Sequence, residues 1–261
     1  MYVGNGRRRI DRKGFYMGKG KGFSLIELLT VIAIIGVLGS ILVPAVDKAK
    51  DAAKTTICVS RLHQLGLIMK MYVDENDGFM ERGVGYSEGA VSWFQCIQKY
   101  YTDKNLLLCP LATKTIDEGG TNPHMAWDNT TDLGNYYKGS YGVNLYIAKG
   151  EDDPNFWGSP YVKEAMYVPM LFCSQWKDVQ PFPSDQPLEY ESLIWTPGPY
   201  EEMRRPCIKR HIPYYVNVLF MDLSIEKRTI KQLWRLRWSR MWPSDAPLPV
   251  WPDWMSDVPE P

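Results

Sequence analysis

Residues 19–50 read KGKGFSLIELLTVIAIIGVLGSILVPAVDKAK, and the fold of the whole chain turns on how this stretch is read. From Leu28 to Val46 it holds no charged side chain. At about 1.5 Å of rise per residue, a helix over that run crosses a hydrocarbon core of roughly 30 Å. One membrane-spanning helix near the start of the chain is therefore predicted. Glu27 stands out within it, because a carboxylate just inside an apolar helix is costly and calls for a partner.

Working outward, residues 1–21 carry Arg7, Arg8, Arg9, Arg12, Lys13, Lys19 and Lys21 against Asp11 alone. The positive-inside tendency places this end in the cytoplasm and the C-terminal bulk on the far side of the membrane. A secretory signal peptide is the competing reading. Two features oppose it. The apolar run is longer than the usual signal core, and the small residues Gly18, Gly20 and Gly22 precede it, so cleavage there leaves the helix on the mature chain.

Lys21-Gly22-Phe23-Ser24-Leu25-Ile26-Glu27, followed by Leu28-Leu29-Thr30-Val31-Ile32-Ala33-Ile34-Ile35-Gly36, resembles the class III signal of type IV prepilins and type II secretion pseudopilins. The resemblance implies that a prepilin peptidase cuts after Gly22 and that the new amine on Phe23 is methylated. It also implies a partner for Glu27, the N-terminal amine of a neighbouring subunit, and an opposite charge nearby offsets the cost of a carboxylate in a low-dielectric surround. Leaders of this family are short, so translation is expected to start at Met17, giving a leader that ends at residue 22. Residues 23–46 are then the transmembrane and polymerisation helix. Residues 47–77 are its soluble half, and 78–261 an extracytoplasmic domain. Pro44 removes one backbone hydrogen bond near the membrane exit and is expected to bend or loosen the helix there.

Cys58, Leu62, Leu65, Met69 and Tyr72 recur at helical spacing and line one face, with Lys54, Arg61, Lys70 and Asp74 off it. The helix is expected to stop in Asp74-Glu75-Asn76-Asp77-Gly78, where Gly78 suits a C-terminal cap. The words CVSRLHQLGLIMKMYVDENDGFM, Cys109-Pro110 and Ser140-Tyr141-Gly142-Val143-Asn144 are similar, in that order, to segments of a bacterial pseudopilin-like subfamily. Leu106–Pro110 is a brief apolar run, and Gly139–Ile147 reads as a strand. Residues 150–210 are cut up by prolines and read as a loop-rich insertion, the natural place for lineage-specific binding. Tyr214–Met221, apolar on both faces, reads as a central strand. The subfamily has His, nine residues, then Asp-Gly here. This chain has His211, ten residues, then Asp222-Leu223, so a Gly-dependent turn is not expected. Trp234, Trp238 and Trp242 recur every fourth residue, predicting a short helix that covers the sheet or, alternatively, presents a basic-aromatic face to anionic lipid head groups or a neighbouring subunit. The fold class expected is α+β: a long N-terminal helix packed on a small antiparallel sheet, pilin-like.

Composition narrows the function. Thirty basic and thirty acidic residues balance, so no nucleic-acid partner is expected. Five cysteines, Cys58, Cys96, Cys109, Cys173 and Cys207, form no CxxC pair. That disfavours a metal cluster and leaves disulfides and buried reduced thiols both open. The histidines, His63, His124 and His211, are scattered and read as surface or core residues. No metal ligand or cofactor is expected. Calcium on Asp74–Asp77 or Glu151–Asp153 is the alternative, although neither matches EF-hand spacing. With no GxSxG, HExxH or GxGxxG context, no enzyme is expected. The function the resemblance implies is a pseudopilin-like subunit in a secretion filament, first held in the bacterial inner membrane. Its partners are the prepilin peptidase, other copies of itself, minor pseudopilins, an inner-membrane assembly platform and the lipid bilayer. The alternatives are a type IV pilus subunit for adhesion, motility or DNA uptake, and a membrane-anchored exported binding domain.

Overall fold

The computed structural model describes residues 22–76, 91–130, 135–148, 153–158, 161–191 and 201–261. The leader with its expected start at Met17, the Asp77–Gly78 helix stop, Glu151, Asp152, Pro160, Pro197 and Pro199 lie outside these residues. The chain divides into two units, Met1–Asp47 and Lys48–Pro261.

Helix α1 runs from Leu25 to Glu75 and continues through Pro44. In the first unit its apolar side chains, including Ile26, Ile32, Ile35, Leu38 and Leu42, are all exposed. The described residues hold one helix long and apolar enough to cross a membrane, and it is this one.

In the second unit the helix buries the face its periodicity foretold, Cys58, Leu62, Leu65, Met69 and Tyr72, together with Gly66 and Val73. The core these residues enter also takes in a mixed sheet. Its strands are β3 (Tyr141–Asn144), β4 (Pro169–Cys173), β5 (Asp178–Val179), β6 (Tyr215–Phe220) and β7 (Ile225–Thr229), in the order β5-β3-β4-β6-β7. All pairings are antiparallel except the two-residue β3–β5 pairing, so the expected antiparallel sheet is mixed at one edge. A separate hairpin joins β1 (Trp127–Thr130) to β2 (Tyr136–Gly139).

Three expectations change. Residues 150–210 are not simply an insertion, because they supply β4, the middle strand of the five. Its run Val168–Cys173 is wholly buried, and Pro169 is tolerated because it opens the strand beside a register irregularity. At the Trp-rich segment the helical stretch is a short 3₁₀ turn, Lys231–Arg235, and Leu236 is already extended. Trp234, Trp238 and Trp242 are nevertheless all buried, so they serve the core and present no face to lipid. Lastly, the β6–β7 turn does adopt the conformation a glycine would favour. The Leu223 amide donates to the Phe220 carbonyl at 3.0 Å, and Leu223 sits at φ 68°. This is a three-residue hairpin loop whose left-handed position is filled by a leucine. Asp222 Oδ1 braces it by accepting from the Ser224 amide at 2.9 Å.

Candidate functional site

Two places in the chain carry chemistry. The first is the start of α1. Glu27 Oε2 accepts a hydrogen bond from the Ser24 amide at 2.8 Å, and Ser24 Oγ accepts one from the Glu27 amide at 3.2 Å. These reciprocal bonds satisfy two amides that a helix N-terminus leaves without partners, the arrangement of a capping box. Ser24 and Glu27 stand three residues apart because that is the spacing at which each side chain reaches the other's amide. Gly22 and Phe23 precede the first helical turn and are exposed.

The second place was not foreseen. Cys58 on α1, Cys109 after the 3₁₀ turn Lys104–Leu107, Cys173 at the end of β4 and His211 ahead of β6 converge in the core. All four are buried, and their ligand atoms lie within 4.8 Å of one another. Cys58 Sγ is 3.6 Å from Cys173 Sγ, while His211 Nε2 is 3.6 Å from Cys109 Sγ and 3.3 Å from Cys173 Sγ. None of the five cysteines forms a disulfide.

The surroundings fix the imidazole. Thr55 Oγ1 donates its single hydrogen to the Asp51 carbonyl at 2.9 Å, so toward His211 Nδ1, 3.1 Å away, it accepts. Nδ1 then carries the proton, and the Nε2 lone pair faces the Cys109 and Cys173 sulfurs and the Asn217 amide nitrogen, 3.3 Å away. Asn217 Nδ2 lies 3.3 Å from Cys58 Sγ, and the Tyr141 hydroxyl lies 3.4 Å from it. Arg210, almost fully buried, spends its guanidinium on backbone carbonyls of Pro123, Ser140, Met125 and Ser174 at 2.7–3.1 Å. Burial pushes the Cys173 thiol well above its ordinary value. It pushes Cys109 the same way, but the hydrogen bonds with Cys173 and Cys58 and the Arg210 charge oppose it, and Cys109 is held well below.

The structure thus puts Gly22 and Phe23, expected in processing, and Glu27, expected in assembly, at one helix start and gives no oxygen-rich cation cage at the described part of the helix end. Asp74 and Glu75 are paired instead with Lys70 and Lys99. His63 is exposed, in line with a surface reading. The Cys/His grouping escaped the sequence reading because its members come from four separate segments, Cys58 and Cys173 being 115 positions apart. The signal that could have found it is the unusual burial expected of cysteines in apolar runs such as Leu106–Pro110 and Val168–Cys173.

Residues 17–43 match the family described as the prokaryotic N-terminal methylation motif. The chain is 38% identical over 63 residues to the "Type IV wide pilus major component PilA4" of Thermus thermophilus, a match covering 24% of this chain and 48% of that relative. It is 34% identical over 55 residues to the "Type II secretion system core protein G" of Pseudomonas aeruginosa, covering 21% of this chain and 39% of the relative. The chain therefore spans less than half the length of either. No solved structure matches it closely enough to carry an argument. The chain thus carries a prepilin-type methylation motif at its helix start and is similar over that region to pilin-like proteins. Its relatives include one protein named for a type IV pilus and one named for type II secretion.

Proposed function

We propose that the chain is a pilin-like filament subunit, cut after Gly22 by a prepilin peptidase, methylated on Phe23 and polymerised through its apolar helix. Before assembly residues 23–46 hold it in the inner membrane, with the N-terminus cytoplasmic, as the basic residues 1–21 favour. The observation that carries this reading is the methylation motif opening a helix whose apolar side chains from residue 25 to residue 46 are exposed in a single copy. Such a surface needs a bilayer or neighbouring helices to cover it. The work is assembly rather than catalysis, with other copies of the chain, minor pseudopilins and an inner-membrane platform as partners.

A secretion filament and a type IV pilus are both supported by a relative, and the pilus component is the more similar of the two quoted. Deleting the assembly ATPase of each machine in turn and asking which deletion abolishes the filament separates them. The primary test is mass spectrometry of the mature N-terminus in its native host. N-methylated Phe23 is expected. An intact leader, or cleavage near Val46, would remove the reading.

A further inference from the structure

We propose that Cys58, Cys109, Cys173 and His211 are the four ligands of a structural zinc ion. The geometry is the first support. Zinc bonds of about 2.3 Å to sulfur and about 2.0–2.1 Å to nitrogen, arranged tetrahedrally, put ligand atoms roughly 3.6–3.8 Å apart. The observed separations of 3.6, 3.6 and 3.3 Å lie near that range, and all four atoms fall within 4.8 Å. Little movement is needed to close the shell.

The second support is the orientation of His211. A metal-bound imidazole gives its other nitrogen's hydrogen to a nearby acceptor, which fixes both tautomer and ring. Thr55 Oγ1 is that acceptor here, and the Asp51 carbonyl holds its hydroxyl hydrogen away. The third support is charge. Three thiolates around Zn²⁺ leave one net negative charge in a site that excludes water. Arg210, next to His211 in the chain, is a buried cation whose guanidinium reaches the Ser140 carbonyl and that of Ser174, the residue after Cys173. The Asn217 amide and the Tyr141 hydroxyl lie within reach of the Cys58 sulfur, as donors to a thiolate would.

Soft sulfur ligands favour zinc over calcium, and a shell closed by four protein ligands is structural rather than catalytic. The alternative is a Cys58–Cys173 disulfide in an oxidising compartment. It requires the sulfurs to close from 3.6 Å to about 2.05 Å, and it leaves Cys109, His211 and Arg210 facing a spent pair. A cleft of about 650 Å³, lined in part by Thr55, Pro110, Arg210 and His211, gives the ion an approach. On binding, the thiol protons pass to solvent. The ion then ties α1, the Cys109 loop, β4 and the segment before β6 together. This inference does not depend on the filament reading, and either can fail alone.

The test is metal analysis of the full-length chain purified in detergent from its native compartment. One zinc per chain is expected, and after exchange Co²⁺ should show the charge-transfer and d–d bands of a tetrahedral thiolate site. Neither readout needs a variant to fold. His211→Ala and Cys109→Ser should lose the zinc and His211→Cys should regain it, while Cys96→Ser and Cys207→Ser keep it. Thr55→Val should weaken zinc about tenfold in competition with a chromophoric chelator. A zinc-free chain bearing a Cys58–Cys173 disulfide would overturn the proposal. So would a reduced chain that gives no tetrahedral Co²⁺ spectrum after reloading, or a His211→Ala chain that still holds zinc with unchanged affinity.

Discussion

Gly66 tests how closely α1 lies on the sheet, because its substitution sets two effects of known sign against each other. A glycine inside a helix costs about 0.5–1 kcal/mol relative to alanine, so Gly66→Ala should stabilise the isolated helix. In the folded chain a Cβ at this position would meet Leu219 Cδ2 at 2.9 Å, Leu219 Cδ1 at 3.2 Å and Leu223 Cδ2 at 3.4 Å. The first distance is shorter than two carbons tolerate. Leu219 ends in flexible methyls, but it is fully buried in β6 and can yield only by pressing on its own neighbours. Overpacking of this kind costs about 1–3 kcal/mol, which exceeds the helix gain. The net expectation is a loss of about 1–2 kcal/mol, or roughly 2–6 °C in the melting midpoint of a unit this size. Near-ultraviolet circular dichroism of the full-length chain in detergent would measure it. Leu219→Val opens space at the same point, so the double variant should be less destabilised than the sum of the single ones, by about 1 kcal/mol. A Gly66→Ala chain more stable than wild type would show that helix and β6 do not approach as described.

Two further positions probe charge. Glu27→Gln keeps an acceptor for the Ser24 amide while removing the carboxylate charge, whereas Glu27→Val removes both. Both variants should be cleaved after Gly22, and both should be excluded from filaments grown beside wild-type chains, as read by mass spectrometry of the polymer. Glutamine entering as freely as glutamate would mean that helix capping, and no charge pair, is the role of Glu27. Glu202 sits in the second unit with its carboxyl pushed up to about 7, chiefly by burial and further by Asp178 and Asp185, with Arg205 at 2.9 Å opposing. Folding thus favours its protonated form. The stabilisation is complete below about pH 4.5 and is lost as the pH rises through 7, an effect of up to about 3 kcal/mol. Urea midpoints should fall more between pH 5 and pH 8 for wild type than for Glu202→Gln. Parallel profiles would refute the assignment.

What could be read from the sequence was what repeats locally. The Cys58–Tyr72 face follows helical periodicity, and the structure buries every member of it. The Tyr214–Met221 run shows a central strand by its lack of a polar face, and β6 does have strands on both sides. Illegible features were those in which tertiary burial overrules a local pattern. Trp234, Trp238 and Trp242 keep a helical spacing, yet the chain leaves the helix after Arg235. There the Trp234 indole reaches the Asp185 carbonyl at 2.9 Å, and the Trp238 indole reaches the Leu233 carbonyl at 2.7 Å. A buried indole gains from an acceptor, and those that Trp234 and Trp238 reach do not lie along a continued helix, while Trp242 Nε1 meets none among the described residues. Leu223 is a subtler case. Without glycine the sequence argued against a left-handed turn residue, but the half-buried leucine side chain lies close to Gly66 and packs on the core, and Asp222 braces the loop. Packing therefore offsets a backbone cost of about 1–2 kcal/mol.

The Cys/His grouping was illegible for another reason, and that reason bears on what it does. A metal site read from sequence depends on ligands that are close in the chain, whereas these four are joined only by the fold; Cys109 and His211 are 102 positions apart. A ligand set of that kind cannot form before the sheet and helix have come together. If it holds zinc, the ion binds the native arrangement alone, and its binding free energy adds to the stability of the whole second unit. The helix has need of it. Its packing in the second unit rests on a strip of seven buried residues, one of them a glycine, while the described apolar side chains of its first half are exposed. In a subunit drawn from a bilayer by that first half, any pull would pass along α1 to the strip. Cys58 lies at its N-terminal end, where the pull would arrive first, and a metal bond there would resist peeling that apolar contacts alone would yield to one turn at a time.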